Sequence, residues 1–279
     1  MAKYDGILIC TDLDGTLSDK NGIISKENAE AIRYFKANGG KFTISTGRSA
    51  PFFMGDNTVF TRSGLEFLPN VPVVTHNGAS VFDFEKMEYI YSVPLPGDEI
   101  EKTILKKACA EDEVEYVFIS GENADSISII RRCEHDDFEK AVLECHGDKN
   151  NKLYKLVFCV KTEEYAKHMR DKFREFFESY GRYSVNRTWK VGVEVLKDNA
   201  TKGVAVNWLR NHIGGIKHVV CIGDFENDVT MIKEADLGIA VGNASEELKA
   251  CADIITVTNA EHALAKTIYD LDKYFNLDA

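Results

Sequence analysis

Four short polar clusters carry the residues that could do chemistry, and each follows an apolar run: Asp12-Leu13-Asp14-Gly15-Thr16, Thr46-Gly47-Arg48, Asn77-Gly78 and Gly223-Asp224-Phe225-Glu226-Asn227-Asp228. Asp12 and Asp14 are two apart, so on an extended chain their carboxylates share a face. Two carboxylates so close repel unless a cation lies between them or one takes up a proton. With Asp224 and Asp228 the chain offers four acids in two clusters. Such an all-oxygen set suits a hard ion like Mg²⁺, which uses few protein carboxylates and keeps water or substrate oxygens. Gly15, Gly47 and Gly223 let backbone approach a phosphate closely, with free N–H groups as donors. Thr46 adds a hydroxyl and Lys202 a cation at a helix start. Taken singly, each pair of acids also serves as turn residues or helix caps, each glycine as an ordinary turn, and the lysine as solvated surface.

The elements that must position these clusters alternate in type. Runs at 7–10, 42–45, 71–75, 218–222 and 237–241 are short and apolar, as strands buried on both faces are. Between them lie helix patterns: one capped by Ser25 and stopped at Gly39-Gly40, then 201–212, 226–235, 246–250 and 261–275. Strands alternating with helices predict a parallel sheet with crossover helices, and ligands of such sheets bind beyond the carboxyl ends of the strands. The middle differs in texture. A hairpin is expected over 80–84 and 89–93, a helix from Asp98, strands at 114–119, 126–130 and 154–160, an amphipathic helix over 163–180, and a closing hairpin at 183–186 and 191–196. On that helix Tyr165, Met169, Phe173 and Phe176 form one stripe, expected to be core. The expectation is an α/β core of residues 1–82 plus 192–279, interrupted by an α+β insert at 83–191.

Composition narrows the partners. The 279 residues are 44% hydrophobic, enough to bury two cores. A net charge of −11 argues against nucleic acid and anionic membrane, which need a basic face. The N-terminal apolar run is too short for a signal peptide or a span, so a cytoplasmic protein is expected. The seven Cys are scattered and never spaced C-x-x-C, which suggests neither zinc nor a disulfide framework. No His falls in a metal-binding pattern, and no G-x-G-x-x-G follows the first strand.

In kind and order DLDGTL, STGR, NGA, TKG and GDFENDVTMI, with the downstream ADLGIAVGNASEELKACADIIT, resemble the motif set of haloacid dehalogenase (HAD) superfamily phosphatases, and the last run points to the Cof-type branch. The resemblance covers both ends of the chain and implies a Rossmann-like core with a large α/β cap inserted between the second and third motifs. It implies that Asp12 attacks phosphorus to form an aspartyl-phosphate, with Asp14 as general acid and base. Mg²⁺ would be held by Asp12, the Asp14 carbonyl and Asp224, with Asn227 and Asp228 orienting its surroundings. Thr46 and Lys202 would bind the phosphoryl oxygens, with Gly47, Arg48 and Asn77 as further substrate contacts. Arg48 could equally pair with an acid, and NGA could shape its loop. Asp14 favours phosphate esters over halides or phosphonates. Phe225 stands where many relatives have a small residue, which weakens transfer of substrate by analogy. The activity expected is hydrolysis of small phosphorylated metabolites, sugar phosphates foremost. The alternatives are a phosphomannomutase-like phosphomutase and a catalytically silent metabolite-binding protein. The sequence is silent on oligomeric state and on which insert residues meet the substrate.

Overall fold

The computed structural model describes residues 2–123, 127–146, 152–178 and 180–275. In chain order the first elements are β1 (Ile7–Thr11), α1 (Lys26–Ala37), β2 (Lys41–Ile44), α2 (Val59–Arg62), β3 (Val73–Thr75), β4 (Ser80–Asp83) and β5 (Glu88–Ser92). Next come α3 (Glu99–Cys109), β6 (Val114–Gly121), β7 (Ser128–Arg131), α4 (Phe138–His146), β8 (Leu153–Val160), α5 (Glu163–Glu178), β9 (Tyr183–Trp189) and β10 (Gly192–Lys197). The chain continues with α6 (Lys202–Ile213), β11 (His218–Gly223), α7 (Val229–Glu234), β12 (Leu237–Ala240), α8 (Glu246–Lys249), β13 (Ile254–Ile255) and α9 (Ala263–Asp270). Two compact units result: Met1–Tyr91 with Thr201–Ala279, and Ser92–Ala200.

The larger unit is built on a parallel sheet in the order β13-β12-β11-β1-β2. Every residue of β1 is buried, as its unbroken Ile-Leu-Ile-Cys run demands of a central strand. The register sets Thr11 beside Ile222 on one side and Ile44 on the other, so β1, β11 and β2 end at one level. The loops that follow them therefore start side by side. In α1, Ser25 accepts the Asn28 N–H as cap, and Ala29, Ile32 and Phe35 face the core.

The smaller unit holds an antiparallel sheet, β7-β6-β8-β10-β9. Its core joins Val117 and Ile119 of β6 with Leu156 and Phe158 of β8 and with Ala166, Met169, Phe173 and Phe177 of α5. Tyr165 and Phe176 stand at the margin of that stripe, partly buried. The α/β core with an additional antiparallel-sheet domain agrees with the expected fold class.

The division falls further along the chain than residues 83 and 192, and pairing explains both shifts. β4 pairs with β3 in the register Val73 to Phe82, which keeps the β3-β4-β5 hairpin sheet in the larger unit. Phe84 there packs on Phe53 and Phe67, with ring centroids 5.8 and 4.7 Å apart. At the other end β10 lies between β8 and β9, so it stays with the smaller unit. Of the strand expected over 126–130, Ser126 lies outside the described residues. The helix expected over 226–235 opens instead as one 3-10 turn, Glu226–Asp228, before α7.

Candidate active site

Asp12 is the first residue past β1, where its N–H still donates to the Ile222 carbonyl (2.8 Å). Beyond it the chain turns sharply. Gly15 adopts φ +89°, and Ser18 folds back with both its N–H and its hydroxyl on the Leu13 carbonyl (2.8 and 2.9 Å). A Cβ on Gly15 would stand 2.6 Å from the Asp224 carboxylate, so only glycine lets this turn press on the loop after β11. Thr16 closes the contact by donating its hydroxyl to Asp224 Oδ1 (3.0 Å).

Lys202 opens α6, whose cap is Thr201 accepting the Val204 N–H. Its side chain is fully buried, and its Nζ lies 2.5 Å from Asp12 Oδ1 and 2.6 Å from Asp228 Oδ1. The other Asp228 oxygen accepts the N–H groups of Asp224 (2.9 Å) and Phe225 (3.1 Å). Both oxygens of Asp228 are thus engaged in holding the lysine and the Asp224 loop. The lysine, read alone as a surface cation, is the buried centre of the site.

The remaining clusters join through main chain. Thr46 N–H donates to Val74, and Asn77 N–H to the Thr46 carbonyl (both 2.9 Å). Thr46 Oγ1 accepts the Arg48 N–H (3.1 Å), which leaves the hydroxyl proton to donate elsewhere. Asn77 Oδ1 accepts from Asn227 Nδ2 (3.1 Å), and the Asn77 amide lies against Gly47. Arg48 pairs with an acid, and that acid is Asp14: two bonds of 3.0 and 3.2 Å form a fork, with both side chains half exposed. The guanidinium also stands 4.5 Å over the Phe52 ring.

Charge in this site is poorly balanced. Burial, then the neighbouring Asp228 and Asp224 carboxylates, push Asp12 well above the usual carboxylate range, against the pull of Lys202. Burial and Asp228 likewise raise Asp224 to about 7. Burial alone would depress Lys202, but Asp12 and Asp228 on either side hold it above its ordinary value. Three carboxylates around one ammonium leave negative charge without a partner in a water-poor setting. One oxygen from each of Asp12, Asp224 and Asp228 falls within a 4.8 Å set. Since Asp228 is already engaged, Asp12 and Asp224 are the pair open to a hard divalent cation, and the donor chemistry fits one.

The family model of haloacid dehalogenase-like hydrolases matches residues 9–268. The chain belongs to that family. Among curated relatives, the chloroplastic endoribonuclease YBEY of Arabidopsis thaliana is 27% identical over 273 residues, 94% of this chain, but the chain spans only 46% of that protein. The 5-amino-6-(5-phospho-D-ribitylamino)uracil phosphatase YcsE of Bacillus subtilis is 26% identical over 269 residues, covering 94% of each. A solved HAD subclass IIB sugar phosphatase superposes with a TM-score of 0.71 at 24% identity, over 97% of this chain and 99% of the other. Membership and the enzyme class expected from the motifs agree with these matches, and the superposition agrees with the expected fold. No helix among the described residues is long and apolar enough to cross a membrane.

The hydrolase brings Asp12, Asp224, Asp228 and Lys202 into one cluster and links Thr46, Gly47, Asn77 and Asn227 beside it, while the Asp14 side chain turns to Arg48 at the rim. A brace behind the Asp14 loop has no signature in the sequence pattern. Asn243 donates to the Gly15 carbonyl (2.9 Å), Asn259 Nδ2 to the Ser18 carbonyl (3.1 Å), and the Asn259 N–H to Asn243 Oδ1 (2.8 Å). Asn243 lies in the run that carries the resemblance, but a lone asparagine after a strand gives no sign of which carbonyl it will meet.

Proposed function

We propose that this hydrolase is a Mg²⁺-dependent phosphatase of small phosphorylated metabolites, sugar phosphates foremost. The observation that carries the reading is the buried Lys202 bridging Asp12 and Asp228, with Asp224 alongside. A fold needs no such crowding, because an unsaturated cluster of acids costs stability. It serves a nucleophile that must meet a dianionic phosphate.

Asp12 attacks phosphorus while the ester oxygen leaves, giving an acyl phosphate on Asp12. Asp14, two residues on and with room at the rim, donates the proton that the leaving oxygen needs. It then takes one from the water that cleaves the acyl phosphate, which restores Asp12 and releases phosphate. Lys202 fixes the Asp12 carboxylate and sets positive charge beside the phosphoryl oxygens, and the free Thr46 proton donates to them. Asp12 and Asp224, with the Asp14 carbonyl, would hold Mg²⁺, which would supply the positive charge that these residues lack. Asp228 and Asn227 act through the groups they orient, Arg48 releases Asp14 and meets the substrate, and the 92–200 unit selects the leaving group as a specificity cap.

The test is phosphate release from a panel of phosphorylated metabolites with Mg²⁺, hexose phosphates and a ribityl phosphate among them, for wild type beside Asp12→Asn. Release that needs Mg²⁺ and vanishes in the variant is expected. Isomerised sugar phosphate without free phosphate would make the enzyme a mutase; no conversion of any panel member would sink the reading.

A further inference from the structure

Two successive residues with side chains, His76 (φ +51°) and Asn77 (φ +55°), adopt left-handed backbone, and Gly78 (φ +97°) extends the run to three. Sparsely populated backbone of this kind is costly and persists only where its surroundings impose it. Asn tolerates it better than most side chains; His carries more of the cost. All three residues are buried.

The contacts of this turn reach three parts of the site. The His76 N–H donates to the Arg48 carbonyl (3.0 Å) and the Asn77 N–H to the Thr46 carbonyl (2.9 Å), which ties the turn to the loop after β2. Gly78 packs so closely on the start of α6 that a Cβ would overlap the Thr201 carbonyl, one residue before Lys202. Asn77 Oδ1 takes the Asn227 amide (3.1 Å) in the turn that carries Asp228, and its amide sits 3.1 Å from where a Cβ on Gly47 would be.

We infer that Asn77 is a positioning residue, not a substrate contact: from its left-handed turn it sets Thr46 and Gly47 against Asn227 and the Lys202 helix. The inference rests on the phosphatase reading above. Its claim is that the strained backbone is retained for the side chain it aims, through the Asn77–Asn227 bond. Glycine at this position separates the two roles, since it adopts the same backbone without strain but has no amide.

The experiment follows hydrolysis of p-nitrophenyl phosphate with Mg²⁺ by wild type, Asn77→Gly, Asn227→Ala and the double variant, with thermal melting of each and calorimetric binding of inorganic phosphate. Asn77→Gly should melt no lower than wild type, yet lose about 10–100-fold in kcat, the scale of a small misplacement of reacting groups. KM should stay within about twofold. The double variant should be no slower than the worse single one, because both remove the same bond. A rise in KM and in the phosphate dissociation constant with kcat preserved would make Asn77 a direct contact and overturn the inference. So would losses that multiply in the double variant. Should Asn77→Gly not fold, Asn227→Ala, which leaves the turn intact, must show the same kcat loss at constant KM; unchanged kcat there overturns the inference. Wild type that neither hydrolyses the ester nor binds phosphate would instead refute the phosphatase reading itself.

Discussion

Both units bury charge, and they treat it differently. In the smaller unit Glu101 is fully buried on α3, and each of its oxygens is met. Oε1 accepts the Gly97 N–H (2.9 Å) and faces the Tyr183 hydroxyl (3.3 Å), while Oε2 faces His146 Nε2 (2.8 Å). Asp98, which caps α3, takes the Tyr183 hydroxyl as well (3.0 Å). In the larger unit three carboxylates share one ammonium, and burial drives Asp12 and Asp224 up instead of saturating them. A satisfied buried carboxylate holds helices and strands together. A crowded group of them stores unfavourable energy that a bound cation or a proton relieves.

Substitutions at the nucleophile test this contrast most severely. Asp12→Asn should lower kcat at least about 10³-fold, as loss of a nucleophile does. It should also leave the urea midpoint equal to wild type or above it, because one of the crowded acids is gone. Lys202→Met should lose about 10²–10³-fold in kcat. It should also destabilise by about 3–5 kcal/mol, since it strands Asp12 and Asp228 without their cation. If Asp12→Asn were as destabilising as Lys202→Met, the cluster would be structural and the contrast would collapse.

The matching change in the smaller unit is Glu101→Ala. It leaves the buried His146 ring without its carboxylate and the Gly97 N–H without its acceptor, while Tyr183 keeps Asp98, and it empties the space of a fully buried side chain, so a loss of about 2–4 kcal/mol is expected by urea unfolding. The kcat of the folded fraction on p-nitrophenyl phosphate should change less than about twofold. A large fall in kcat with stability intact would place chemistry where only scaffolding has been found.

The same contrast explains how much the sequence revealed. Clusters at strand ends were legible because the parallel-sheet rule ties them to one edge of the sheet. The βα alternation was legible because apolar runs and caps are local signals. The unit boundaries were displaced because the pairing of β10 with β8, and the packing of Phe84 beyond β4 on Phe53 and Phe67, are tertiary choices that two similar hairpin patterns do not disclose. The burial of Lys202 was invisible for the same reason: its two partners lie 190 and 26 residues away. Asn243 and Asn259 escaped because they act through backbone carbonyls, which leave no trace in side-chain type. The motif spacing placed Asp14 beside Asp12, yet its carboxylate lies on Arg48, since side chains two apart share a face only until the chain turns at Gly15.

The smallest effect is expected where charge is paired in water. Arg33 grips Glu66 through two bonds of 2.7 and 2.6 Å, and this holds the Glu66 carboxyl down to about 2. Both side chains are largely exposed, at 42% and 56%, so solvent screens most of that preference. Because the folded pKa is depressed below the ordinary 4.5, the pair's stabilisation is present in full above that pH and fades as pH falls toward 2. Glu66→Gln should therefore cost about 0.2–1 kcal/mol near neutral pH, read from thermal melting. The difference from wild type should narrow between pH 5 and pH 3, and also with about 0.5 M salt at neutral pH. A loss as large as that of Glu101→Ala, or one indifferent to salt, would mean that exposure does not divide the charged pairs of this protein in the way the two buried sites suggest.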